Sequence, residues 1–159
     1  MAVFVGEFDQ TIDTKNRLAI QSPLREQMNP ATDGEGFYLT LGPDRHLWLY
    51  PDEYYRSMLQ RLQRLRGNPF PSRRARKLDL LFALARVVKP DAQGRVVLPE
   101  KSRARAVIAE DVTLVGKGDH IEIWPRQEWE QHVAGRLPTY GDDLLDAGDE
   151  AEGGHEEQD

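Results

Sequence analysis

Asp13-Thr-Lys-Asn-Arg17-Leu-Ala-Ile20 recurs 78 residues later as Asp91-Ala-Gln-Gly-Arg95-Val-Val-Leu98, and the match extends to Arg25 against Arg103. A second block, Gly42-Pro-Asp-Arg-His46-Leu-Trp-Leu-Tyr50-Pro51, returns as Gly116-Lys-Gly-Asp-His120-Ile-Glu-Ile-Trp124-Pro125 at an offset of 74. Tyr55 then corresponds to Trp129. The slip between offsets falls in 29–36, a Pro/Gly/Asp-rich loop where extra length costs little. Two blocks in the same order mark a duplication, so the fold must be one that two copies of a unit can share.

Each unit runs from an Asp-turn-Arg through a short apolar run and a helix-like piece to a loop. An alternating strand and a Pro-initiated helix bearing an aromatic residue follow. The spacing predicts a strand entering at Phe4–Ile12, or Ala85–Lys89, and another leaving at Arg17–Ile20, or Arg95–Leu98. Between them, Asp13 and Asp91 have the side chain to bond their own turn. Gly94 adopts positive φ freely, and Asn16 is the best non-glycine substitute. Pro23 and Pro99 stop the outgoing strands early. A lone short hairpin is unstable in water, so the two are expected to pair across a pseudo-twofold axis and bury a shared barrel core. Leu47, Leu49, Ile121 and Ile123 face that core, with Trp48 and Glu122 pointing away. The expected class is α+β, mainly β. It takes the form of a pseudo-twofold barrel from two tandem repeats (4–55 and 85–137), a helical basic linker (56–84) and a disordered acidic tail (138–159).

In the linker, Glu53 to Arg66 reads as a helix with Met58, Leu59, Leu62 and Leu65 on one face. Gly67-Asn-Pro-Phe-Pro71 breaks it, and Ser72 caps a second helix to about Leu84, with Leu78, Leu81 and Phe82 on its apolar side. Between Tyr55 and Leu78 there is no acid, against eight positive charges, which suits either a solvated face, phosphate contact or a neighbouring subunit's acids.

The net charge of −6 conceals an uneven distribution. Of 27 acidic residues nine lie in 141–159, which has no Lys or Arg, so the body holds 18 acids against 21 bases. The acidic, Gly-rich tail is expected to stay unfolded, as a solubilising appendage or a competitor of DNA for the basic surface. Duplicated turns on one barrel would set Lys15, Arg17 and Arg25 on a common surface with Arg95, Lys101 and Arg103. β-Ribbons bearing such charges enter DNA grooves, where phosphate contacts supply affinity and an Arg fork reads guanine.

Asp-x-x-Gly-Arg, three apolar residues, Pro and then Arg resemble the AbrB-type swapped-hairpin DNA-binding fold. Two copies joined by a helical linker, with strand ends Leu-Tyr-Pro and Ile-Trp-Pro and a helix carrying Tyr55 or Trp129, resemble the MraZ family over Phe4 to about Leu137. The resemblance implies a transcriptional regulator that binds short direct repeats in the promoter of the division and cell-wall gene cluster, its own gene included. It also implies ring-like homo-oligomers and a cytoplasmic, nucleoid-associated location. Arg17 and Arg95 would then be the principal DNA contacts, with Lys15, Arg25, Lys101 and Arg103 secondary and Asp13 and Asp91 organising the turns. The first motif departs from the family pattern in having Asn16 for Gly. Within the chain, Gln21 stands where the second repeat has Pro99, so the two turns need not engage DNA equally.

Other classes find little support. There is no cysteine, so no disulfide or thiolate site exists. No apolar run approaches the ~18–20 residues of a membrane span, and the first residues, lacking a basic start, do not read as a signal peptide. No His-x-x-x-His, Gly-x-Ser-x-Gly or phosphate-loop motif is present. Among the histidines, His46 and His120 occupy equivalent positions and read as structural. Trp48, Trp124, Trp129, Tyr54 and Tyr55 read as core or subunit-contact residues rather than base-stacking platforms. Neither an enzyme, a cofactor, a metal nor a small-molecule substrate is expected. The rival readings are an oligomeric scaffold and an antitoxin-like hairpin protein.

Overall fold

The computed structural model of the protein describes residues 1–67 and 70–156. Asn68 and Pro69, part of the expected helix break, and 157–159 of the tail lie outside the described residues. The chain divides into two compact units, Met1–Arg126 and Gln127–Asp159.

The first unit is built on a six-stranded antiparallel sheet and a two-stranded ribbon. The first repeat supplies β1 (Glu7–Thr11), β2 (Arg17–Ala19), β3 (Phe37–Leu41) and β4 (Leu47–Pro51). The second supplies β5 (Arg86–Val88), β6 (Arg95–Val97), β7 (Asp111–Gly116) and β8 (Ile121–Pro125). The large sheet runs β1-β7-β8-β4-β3-β5, and β2 pairs with β6 in a separate ribbon. The order is a palindrome of repeat-equivalent strands. The entering strand of each repeat therefore pairs with the other repeat: β1 with β7 (Asp9 opposite Thr113) and β5 with β3 (Val87 opposite Tyr38).

The symmetry axis can be located by register. In the ribbon Leu18 lies opposite its counterpart Val96, and in the large sheet Trp48 lies opposite Glu122. Strand residues alternate faces. Leu47, Leu49, Ile121 and Ile123 are accordingly buried in one cluster with Leu18, Ile20, Val96 and Leu98 of the ribbon strands and their ends. Truncating one of these, such as Ile123→Ala, costs about 2–5 kcal/mol.

Two expectations are corrected. The sheet stays open, with β1 and β5 as edges, rather than closing into a barrel. The outgoing strands are three residues long and are stopped where Pro23 enters α1 (Ser22–Arg25) and Pro99 precedes α6 (Glu100–Ala106), too short to bridge two edges. Nor is the chain mainly β, because its helices outnumber its strands in residues. The entering strand is also shorter than Phe4–Ile12: Gly6, at φ 100°, separates β1 from Phe4, which bridges to Gly118.

The helices follow local chemistry. A short helix, α2 (Pro30–Asp33), is capped by Asn29. Helix α3 (Asp52–Arg66) opens with Asp52 and Glu53 and closes with Arg64 and Arg66, the polarity its dipole favours. Gly67, at φ 86°, ends it. Tyr55 is buried from it onto Tyr38 and Tyr50 of the outer sheet face, with ring centroids 5.3 and 4.7 Å away. Ser72 accepts from the Ala75 N–H at 3.0 Å, capping α4 (Arg73–Lys77) as its position predicts. The run is interrupted at Leu78 and resumes as α5 (Asp79–Leu84).

The second unit, by itself, is helical. It carries all but the first residue of α7 (Arg126–Arg136), then a 3-10 turn (Leu137–Thr139) and α8 (Tyr140–Glu156). Where the sequence reading expects an unfolded acidic tail, the chain is helical to Glu156. Asp142 and Asp143 stand in its first turn, where the helix N-terminus favours negative charge. Arg136 pairs with Asp143 at 3.1 Å.

Candidate nucleic-acid interface

The two turns are built alike. The Asp13 N–H donates to the Arg17 carbonyl at 3.0 Å and that of Asn16 to the Asp13 carbonyl at 3.1 Å; Asp91, Arg95 and Gly94 repeat this at 2.8 and 2.9 Å. Asn16 and Gly94 carry positive φ, 62° and 79°. Asp13 Oδ1 accepts the N–H groups of Lys15 and Arg17, both at 2.9 Å, as Asp91 Oδ1 accepts those of Gln93 and Arg95, also at 2.9 Å. The second carboxylate oxygen takes the arginine Nε, at 2.6 Å from Arg17 and 3.0 Å from Arg95. These bonds, led by the backbone N–H of the arginine, hold both aspartates below the usual carboxylate range against the opposing effect of burial.

The pairing fixes what each arginine presents. Nε is committed to the turn, so the Nη edge is the one that can fork onto a phosphate or a guanine, although in Arg95 Nη2 also donates to Gln93. Register brings the two together. Arg17 lies opposite Val97 and Arg95 opposite Ala19, so both arginines stand on the ribbon face away from buried Leu18 and Val96. As diagonal neighbours on one ladder they root about 7–8 Å apart. Val97, which is exposed, and half-buried Ala19 complete that face.

Arg25 and Arg103 make contacts within the chain at the turns. Each braces the turn of the other repeat. Arg103 donates through Nη1 to the Asn16 side-chain oxygen at 2.6 Å and through Nη2 to the Ala109 carbonyl at 3.1 Å. Arg25 donates through Nε to the Ile20 carbonyl at 2.8 Å and lies against Gly94, where a Cβ would stand 2.6 Å from that nitrogen. Lys15 is exposed at the tip of the first turn and Lys101 is exposed on α6. Gln93 replaces the Lys15 charge in the second turn, and its side chain accepts from Arg95 Nη2 at 3.3 Å. The bracing role of Asn16 had no signal beyond its tolerance of positive φ.

The equivalent histidines are structural partners on the opposite sheet face. His46 stacks on Trp124 and His120 on Trp48, each at 3.9 Å between centroids. His120 also bridges Asp119 at 2.7 Å and Glu122 at 2.8 Å, while Tyr54 donates to Asp119 and Trp124 to Glu122. Burial opposes a charged imidazole, yet the bonds to Glu122 and Asp119 outweigh it and raise the His120 pKa. This explains why Glu122 is buried although it points away from the core. Among the described residues no cluster of three or more His, Cys, Asp or Glu is placed to hold a metal, and no helix is long and apolar enough to cross a membrane.

Residues 3–77 and 81–138 match the family described as "MraZ protein, putative antitoxin-like". A protein named Transcriptional regulator MraZ from Clostridium tetani is 35% identical over 131 residues, covering 82% of this chain and 87% of its own. One of the same name from Heliobacterium modesticaldum is 34% identical over 139 residues (87% and 92%), and one from Lachnoclostridium phytofermentans 32% over 147 (92% and 98%). A match across both turns, the ribbon and the shared sheet, at such coverage, makes this chain a member of the MraZ family.

Proposed function

We propose that this chain is a transcriptional regulator that binds double-stranded DNA sequence-specifically through its paired turns. The observation that carries the reading is the placement of Arg17 and Arg95 side by side on one ribbon face, each aimed by an aspartate through Nε. Lys15 and Lys101 add phosphate contacts at the margins, and Arg25 and Arg103 act through the turns they brace. The target is the promoter of the division and cell-wall gene cluster, including the regulator's own gene, and the working form is a ring-like homo-oligomer on the nucleoid in the cytoplasm. The names of the relatives support regulation of transcription rather than catalysis. No cofactor or small-molecule substrate enters the scheme.

The test is binding of purified protein to a labelled duplex from upstream of its own gene, against a scrambled duplex and across a salt series. Tight, selective binding that weakens with salt, as counterion release requires, and is lost in Arg17→Ala/Arg95→Ala is the expected result. Equal binding to both duplexes, or a double variant that binds like wild type, would make the turns structural and move the scaffold reading ahead. An antitoxin-like protein would be revealed by a toxin partner.

A further inference from the structure

The ribbon face that carries Arg17 and Arg95 also presents Val97, an apolar side chain left 58% exposed. The Leu98 N–H donates to the Asn16 carbonyl at 2.8 Å and that of Ile20 to the Gly94 carbonyl at 2.9 Å. Ladder bonds alternate along an antiparallel pair, so Arg17–Val97 and Ala19–Arg95 are the pairs without them. Side chains of such pairs stand closest, with Cβ atoms about 4.5–5.5 Å apart. Val97 therefore rises directly beside the stem of Arg17. Its counterpart in the first repeat is Ala19, which is half-buried. Since Ala19 completes its strand without a branched side chain, the ladder does not require one at Val97.

We propose that Val97 is a specificity-determining residue whose methyl groups contact the C5-methyl of a thymine next to the position held by Arg17. The inference rests on the binding of DNA by the turns and adds a base that the ribbon recognises. In the major groove thymine presents a methyl group where the other bases present donors or acceptors, and an apolar side chain reads it. The distance between the roots of Arg17 and Val97 is between one and two base steps of about 3.4 Å. One platform thus sets an arginine fork and an apolar contact on neighbouring base pairs. The other arm lacks the second element, because Ala19 has neither γ-methyl and is half-buried beside Arg95. The reading face is therefore not twofold although its backbone is. One chain recognises a sequence with a direction, with thymine favoured on the side of Arg17.

The test uses the full-length protein and a labelled duplex from upstream of its own gene, with each thymine in turn replaced by uracil. Uracil keeps the hydrogen-bonding groups of thymine and lacks only the C5-methyl. For the wild type, one replacement per bound site is expected to weaken binding about threefold to fivefold, the worth of one buried methyl. Val97→Ala and Val97→Ser should lose a similar factor on the thymine duplex and bind thymine and uracil equally at that position. Melting temperatures near that of the wild type check that the ribbon is intact in both. Selective binding that depends on Arg17 and Arg95 yet is indifferent to every uracil would overturn the proposal, without any Val97 variant, and leave DNA binding by the turns standing. Discrimination that persists in both Val97 variants would do the same. Sedimentation adds a further arm: altered assembly with an unaltered thymine preference makes Val97 a contact between copies and rejects the proposal. Equal binding of the wild type to a scrambled duplex, or binding that survives Arg17→Ala/Arg95→Ala, removes the reading beneath the proposal and the proposal with it.

Discussion

The two turns share one backbone and differ in what holds them. Asp13–Arg17 and Asp91–Arg95 reproduce the same hydrogen bonds, so the backbone design is carried by an aspartate, a left-handed residue and an arginine. The braces diverge. The first turn is gripped by a side-chain bond, Arg103 to Asn16, which only a residue with an oxygen at that position can accept. The second is covered by Arg25, which rests on Gly94 and would have to shift if a side chain stood there. The outer charge diverges too, since Lys15 is answered by Gln93. Duplication thus keeps the platform and frees its supports and its charge to specialise.

The comparison can be broken in order of effect. Arg17→Ala and Arg95→Ala, made singly, should each cost about 1–3 kcal/mol in DNA binding. Titrating the two against the same duplex tests equivalence; a larger loss for Arg17 would show that Lys15 makes the first turn dominant. Gly94→Ala should destabilise by about 1–2 kcal/mol from the left-handed backbone alone, with a further cost from displacing Arg25. Thermal melts should show it falling further than Asn16→Ala, and equal losses would mean that Arg25 moves aside freely. Asn16→Gly trades the Arg103 bond for an unstrained turn, so its stability should stay within about 1 kcal/mol of wild type. Its effect should show instead as faster amide exchange at Lys15 and Arg17.

The smallest effect sharpens a second contrast, between the His46 and His120 stacks. The folded pKa of His120 lies above the unfolded value, so its bridges add stability that is complete below about pH 6.5 and is lost as pH rises through the elevated value. Asp119 and Glu122, although burial pushes them up, are held below their usual range by bonds that include those from His120, so their share is lost on acidification. The melting temperature of His120→Gln should therefore trail wild type most near pH 6 and approach it toward either extreme. A difference independent of pH would mean that the stack on Trp48, rather than the charge, is what His120 supplies.

What could be read in the sequence was what is local. The left-handed Asn16 and Gly94, the Ser72 cap and the span of α3 each depend on residues within a turn of one another. So does the alternation that buries Leu47 and Leu49 and turns Trp48 outward. The pairing of β1 with β7 joins residues about a hundred positions apart, and nothing in either strand names its partner. The open sheet follows from that pairing and from the shortness of β2 and β6, so the expected barrel failed at the same step. Arg25 and Arg103 read as surface charges because what each braces, Gly94 and Asn16, belongs to the opposite repeat. In the tail, the acids and glycines masked the Tyr140–Leu144–Ala147–Ala151 stripe that a helix places on one side.

The exchange of entering strands also sets the order in which the molecule can be completed. As the chain leaves the ribosome, β1 is among the first segments made, yet its partner β7 is synthesised only after the linker and the first part of the second repeat. Until then β1 has no ladder, and Phe8 and Ile12 have no sheet to cover. Such long-range closure is slow by its topology, and the waiting strand is an open invitation to another nascent chain. The first half of this protein is therefore not a small domain that folds early. It is a template held unfinished until the second half arrives to complete it.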